Sequence, residues 1–224
     1  MASTTDDLFE AIEREDHIDV RRLLDEEPDL AMARDAHGVS ALMRALYRLD
    51  MGVVDAVKER VDELDAFEAA SFGDLDRLAV LLDEEPALVT GYSGDGFTPL
   101  HFAAFFGRPA AVALLLARGA EVDAVGRGWM TGTALHSAVS RSRSDIARIL
   151  LDAGASPDIR QSGGWTPLHS AAANGDLASV ELLLVTGADP TATNDDGRSV
   201  LDMATEHGDA ATIERIRAAL QAAP

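Results

Sequence analysis

The chain has 224 residues, with 39 acidic against 19 basic side chains and a formal net charge of −20. It contains no cysteine, which excludes disulfides, thiolate metal sites and cysteine nucleophiles. So negative a field repels nucleic-acid phosphates and anionic lipid, so neither is expected as a direct partner. The first ten residues, MASTTDDLFE, have no basic start and no apolar run. The longest apolar run, residues 110–117, is far short of the roughly 20 residues that span a bilayer. A soluble, cytoplasmic and monomeric protein is expected.

Taken in order, the chain repeats itself. The segment LFEAIEREDHIDVRRLLDEEPDL, from Leu8, aligns without a gap on AFEAASFGDLDRLAVLLDEEPAL, from Ala66, at an offset of 58 residues. The same offset carries Gly38, Ser40 and Leu42 onto Gly96, Thr98 and Leu100. Further on, Thr98, Thr133, Thr166 and Ser199 recur at spacings of 35, 33 and 33, and Gly119, Gly154 and Gly187 keep the first two of these. Periods of this length point to a stack of small supersecondary units rather than one thick core.

Within a unit the residue types are those of two helices. Thr98 suits an N-cap and Pro99 a first helical position. Leu100, Ala103 and Ala104 share one face, where small side chains let helices approach closely. Gly107, Gly175 and Gly208 are expected to end first helices in a left-handed conformation. Val180, Leu182, Leu183 and Leu184 make a second helix apolar enough to be sandwiched between neighbours. At the N-terminal end Leu8, Ile12, Val20, Leu23 and Leu24 should face inward, with Asp6, Asp7, Glu10, Glu13 and Asp16 in water. At the other end Ile213, Ile216 and Leu220 should face inward. Two finished ends of this kind are expected of a complete protein.

The segments TPLHFAA (98–104), TALHSAV (133–139) and TPLHSAA (166–172), followed by RGAEVDA, AGASPDI and TGADPTA, resemble ankyrin repeats. The resemblance implies an all-α fold, a solenoid of stacked helix-turn-helix units with projecting β-hairpin loops. One domain over 6–221 is expected, with units at 6–34, 35–63, 64–92, 93–127, 128–160, 161–193 and 194–221. The second unit departs most, with Ala41 for Pro and Met43 for His, and a projecting hairpin is not expected between it and the third. The LLDEEP runs at 23–28 and 81–86 resemble a variant connection of the same family.

Catalytic and metal chemistry find little support. His101, His136 and His169 recur once per unit, but packed helices lie roughly 8–10 Å apart, too far for such a column to converge on one ion. Each is expected to hold a loop by hydrogen bonds, and no metal or cofactor is expected. GRGWMTG (126–132) has the wrong spacing and no βαβ surroundings for a dinucleotide loop. GYSG (91–94) is no nucleophile elbow. The chain is not expected to be an enzyme.

The family implies a non-catalytic protein–protein interaction module, an adaptor or a regulatory or inhibitory subunit. Its partner would lie on the concave face formed by first-helix ends and on the hairpin tips. The two residues at each first-helix end are Glu13-Arg14, Tyr47-Arg48, Ser71-Phe72, Phe105-Phe106, Ser140-Arg141, Ala173-Asn174 and Glu206-His207. The hairpins add Tyr92, Phe97, Arg127, Trp129, Met130, Arg160 and Trp165. Aromatics make up only 5% of the chain, so their concentration in these two sets is informative. Trp, Tyr and Arg are also the types most enriched among binding hot spots. The expected site is therefore Tyr47, Tyr92, Phe97, Phe105, Phe106, Arg127, Trp129, Met130, Arg160 and Trp165, rimmed by acids and suited to a basic or helical protein segment. The alternatives are an acidic mimic of nucleic acid that inhibits a nucleic-acid-binding protein, or an enzyme with an unrecognised site.

Overall fold

A computed structural model describes residues 4–128 and 131–223, together with the backbone but not the side chain of His207. Among the described residues, fourteen α-helices follow one another in pairs: α1 (Thr5–Glu13) with α2 (His17–Glu26), α3 (Ala41–Arg48) with α4 (Met51–Lys58), and α5 (Ala66–Phe72) with α6 (Leu75–Glu84). Next come α7 (Pro99–Phe105) with α8 (Pro109–Ala117), α9 (Ala134–Ser140) with α10 (Ser144–Asp152), α11 (Pro167–Ala173) with α12 (Leu177–Val185), and α13 (Val200–His207) with α14 (Ala210–Ala222). Helices this short are marginal alone, so packing on neighbours must hold them. The chain forms two compact units. One takes in the chain up to Glu68 together with Ser93–Asp95; the other takes in Ala69–Tyr92 and the residues described from Gly96 onward.

In the first unit, α1 packs on α2 and α3, and α2 on α4. Leu8, Ile12, Val20, Leu23 and Leu24 are buried against this interface, and Asp6, Asp7, Glu10, Glu13 and Asp16 are exposed. Each fully buried Leu or Ile contributes roughly 1.5–3 kcal/mol. The loop after α2 opens with a 3-10 turn at Pro28–Met32, where the proline ends the helix. A hairpin closed by an antiparallel bridge between Arg34 and Ser40 follows. From Glu59 to Asp65 the backbone makes only turns and bends, with no bridge.

In the second unit the first helices stack on each other, α7 on α9, α9 on α11 and α11 on α13. The second helices form a parallel row through α6, α8, α10, α12 and α14. Leu100, Ala103 and Ala104 are wholly or almost wholly buried, and so are Leu135, Ala138, Leu168, Ala171 and Ala172. Alanine at these contacts lets consecutive first helices lie close. On α12, Val180, Leu182 and Leu183 are buried while Leu184 is only partly covered. Its neighbour Val185 is 80% exposed, so this helix keeps one wet edge. On α14, Ile216 is buried and Ile213 and Leu220 are half-buried. The hairpin before α13 is closed by a bridge between Thr193 and Ser199, and the turn before α11 by Gln161 N–H donating to Trp165 O at 2.8 Å.

In the first six pairs the turn joining the two helices contains one residue of left-handed backbone. Gly107 (φ +72°) and Gly175 (φ +64°) supply it as expected, but Gly208 does not. At φ −83° and ψ 168° Gly208 is extended, and its glycine requirement is one of space: a Cβ there would meet Ala204 O at 2.7 Å. Elsewhere non-glycine residues hold the strained position, namely Glu15, Leu49 and Ser142 at φ 52–58°. A left-handed L-residue costs roughly 1–2 kcal/mol. Ser142→Gly should therefore raise stability by about 0.5–1 kcal/mol, and Gly107→Ala should lower it by about 1–2 kcal/mol. Urea midpoints of the two variants against the parent check both signs.

Candidate partner-binding surface

The surface is built on three histidine pins. Thr98, Thr133 and Thr166 precede α7, α9 and α11, and the histidine three residues on reaches back to each. Thr98 N–H donates to His101 Nδ1 at 3.3 Å, and the Thr98 hydroxyl lies 2.8 Å from the same nitrogen. His136 and His169 repeat the arrangement with Thr133 and Thr166. With Nδ1 accepting, the ring must be neutral and protonated on Nε2. Each Nε2–H then donates to the loop of the next pair: His101 to Gly132 O (3.0 Å), His136 to Trp165 O (3.3 Å) and His169 to Arg198 O (3.3 Å). Burial holds all three imidazoles below the usual histidine range, His136 to about 4. Among the described residues, no three His, Asp or Glu side chains are placed to hold a metal ion.

One pinned loop carries Trp165, whose carbonyl accepts from His136, and Phe97 directly precedes the Thr98 to which His101 is bonded. Phe97, half-buried, packs at 5.7 Å on the His101 ring and 6.0 Å edge-on to Phe102. Trp165, also half-buried, tilts over His169 at 6.0 Å. Tyr92 donates its hydroxyl to Val125 O at 3.2 Å, and the Arg127 guanidinium lies 3.7 Å over its ring. Arg160 is engaged with Asp195 at 2.9 Å and with Thr193 O at 2.8 Å, so it braces the hairpin before α13. Phe105 and Phe106 meet edge-on at 5.1 Å at the far end of α7, eight residues from Phe97, or about 12 Å along a helix axis. The sequence-derived set in this unit therefore falls into a hairpin-end group and a turn-end group.

Tyr47 belongs to the first unit. Its hydroxyl is bonded to the Asp95 carboxylate, whose other oxygen accepts from Ser93 Oγ at 2.6 Å. Burial, and then the Asp95 carboxylate, push this phenol far above its usual range. Trp129 and Met130 lie outside the described residues.

Several features escaped the sequence reading. Ser71, assigned to a concave helix end, is fully buried; the Arg108 side chain crosses it and donates Nε to Ser71 O at 2.8 Å. Glu68 occupies on α5 the position His101 occupies on α7. It accepts from Ser40 Oγ at 2.5 Å and Asp65 N–H at 2.9 Å, and burial raises its pKa. Asp65 followed three residues later by Glu is the capping-box signal that could have revealed it. A guanidinium lies against Phe105: Arg141 Cζ is 5.2 Å from its ring centre. Exposed apolar residues also stand at the inter-helix turns of the first unit, Ile18 at 71% and Met51 at 58% exposure.

Comparison with known proteins matches the family model described as Ankyrin repeats (3 copies) at residues 66–161, 126–194 and 153–217, together more than half of the chain. Among curated proteins, the chain is 35% identical over 105 residues to the Ankyrin repeat and SAM domain-containing protein 6 of Rattus norvegicus, covering 46% of this chain and 11% of that protein. It is 42% identical over 98 residues to the E3 ubiquitin-protein ligase XB3 of Oryza sativa subsp. japonica, covering 42% and 21%. Over 146 residues it is 34% identical to the Neurogenic locus notch homolog protein 4 of Homo sapiens, covering 63% and 6%. The chain thus spans a small part of each of these relatives. No helix among the described residues is long and apolar enough to cross a membrane.

The pins give a pH dependence of definite sign. A histidine whose folded pKa lies below the unfolded value of 6.5 contributes stability that is complete above 6.5 and is lost as pH falls through the folded value. For His136 the window runs from 6.5 down to about 4, and full titration is worth about 3 kcal/mol. Thermal melts between pH 7.5 and 4 should show this loss, and it should shrink in His136→Gln.

Proposed function

Because the chain belongs to the ankyrin-repeat family, we propose that it is a non-catalytic protein–protein interaction module, acting as an adaptor or as a regulatory or inhibitory subunit. The observation that carries this reading is the position of the aromatic rings. Phe97, Phe105, Phe106, Tyr92 and Trp165 are each half-buried, fixed on one side by the fold and open on the other. A ring held in this way has already lost its rotamer freedom, so a partner covering its open side gains apolar burial at small entropic cost. Arg127, stacked on Tyr92, extends the hairpin-end group with a guanidinium whose orientation is set before binding. Arg160 completes the proposed contact set of the second unit; Tyr47 is proposed as a separate contact of the first unit, and Trp129 and Met130, outside the described residues, are proposed from their residue types. The three histidines hold this surface and take no part in chemistry.

In this reading apolar anchors supply affinity, and the negative field of the whole chain shapes encounter. Truncating a central aromatic anchor costs about 2 kcal/mol, or about 30-fold in Kd. Crosslinked pull-downs from the native cell with the parent, Phe97→Ala, Trp165→Ala and Tyr92→Ala should show specific partners depleted by the substitutions while circular dichroism shows each variant folded. Equal recovery from all four would reject the surface. A partner lost to raised salt but indifferent to the aromatic substitutions would indicate polyanion mimicry instead.

A further inference from the structure

The charge of the turn-end group runs against that of the chain. Arg108, Arg141 and Arg143 stand at the turns between first and second helices, beside Phe105 and Phe106 in the second compact unit. Arg143 lies against the α7–α8 turn: a Cβ on Gly107 would sit 2.8 Å from its Nε. Arg108 lies in the same way against Gly73 one pair earlier, where a Cβ would meet its Cδ at 3.1 Å. Arg141 is stacked on Phe105. Among the described residues none of the three has a carboxylate within ion-pairing distance, although the chain carries 39 acids. In the same unit Arg118 is paired with Asp83 at 2.7 Å and Arg160 with Asp195 at 2.9 Å. Arg141 and Arg143 are exposed, and Arg108 uses its Nε on Ser71 O.

We infer that this edge is a docking surface for an acidic, apolar-containing segment of a partner protein, with carboxylates on the arginines and an apolar side chain on the Phe105–Phe106 pair. The inference rests on the reading of the chain as an interaction module and names the chemistry of the partner at one end of it. Spacing selects the occupant. Arg108 and Arg143 serve turns one helix pair apart, and packed helices are separated by about 8–10 Å. A chain in the polyproline II conformation advances about 3.1 Å per residue with three residues per turn, so every third side chain faces the same way at that interval. A single phosphate is far smaller than this interval. A nucleic acid would bring a long run of phosphates against a chain of net charge −20, whereas a segment with two or three carboxylates meets little of that repulsion. Guanidiniums without an internal ion pair lose none when a carboxylate arrives.

The test uses the whole chain and a fluorescein-labelled peptide of Glu-Leu-Ser repeats, read by fluorescence anisotropy, against a Lys-Leu-Ser peptide and a single-stranded oligonucleotide. The acidic peptide should bind, the basic one should not, and affinity should fall as salt rises. Arg141→Glu/Arg143→Glu should weaken acidic-peptide binding by at least about tenfold. Arg141→Lys/Arg143→Lys should retain most of it, which separates charge from packing on Gly107. Arg148→Glu, half that charge change placed on the exposed side of α10, should leave it nearly unchanged. Binding of the basic peptide as tight as that of the acidic one, no acidic-peptide binding at all, tighter oligonucleotide binding, or indifference to Arg141→Glu/Arg143→Glu would each overturn the inference. If the peptide fails while native partners are still lost from Trp165→Ala, the acidic dock falls and the module stands. If the peptide binds as stated while every aromatic variant recovers its partners equally, the module reading is the one that fails.

Discussion

A neutral imidazole bonded at both of its ring nitrogens ties each of the helix pairs that begin with α7, α9 and α11 to the pair that follows it. One nitrogen accepts from the backbone that starts its own helix, and the other donates to a carbonyl in the following loop. Two polar backbone groups that burial would otherwise leave unsatisfied are paired by a single side chain. Neither a carboxylate nor a lysine could do both. In the first unit Glu68 is bonded to Ser40 of the preceding helix pair, so the link runs backward along the chain.

Because the pins fix where α7, α9 and α11 begin, they also fix where those helices end about 10 Å away. A stack of this kind is stabilised chiefly by contacts between neighbouring units. Residues at the helix ends and loop tips can then differ from pair to pair without disturbing the repeat. That freedom puts phenylalanines at the end of α7, a serine and an arginine at the end of α9, and an alanine and an asparagine at the end of α11, on one unchanging frame. The requirements of fold and of recognition are met by different positions in each repeat.

What could be read from the sequence follows the same division. Thr98, His101, Leu100 and Ala103 recur with the period, so their roles were accessible before any coordinates. Gly208 was misread because glycine is used for two reasons, backbone handedness and lack of a side chain, and composition does not distinguish them. The burial of Ser71 was not legible because Arg108, which bonds to its carbonyl, is 37 positions away in the chain and only the fold brings it there. The arginine edge went unseen because a net charge is a sum, and Arg141 and Arg143 had to be located among 39 acids before their lack of partners meant anything. Arg127 and Arg160 look alike in sequence, yet one stacks on a tyrosine and the other is paired with an aspartate.

The adjoining phenylalanines occur at the end of one first helix only. A repeating frame presents nearly the same backbone every 33–35 residues, so a bound chain that recognised only repeated features could shift by one unit at little cost. Phe105 and Phe106 break that translational symmetry. They act as an index mark: a ligand that seats an apolar side chain on them has a single register, and its remaining groups are assigned to particular repeats.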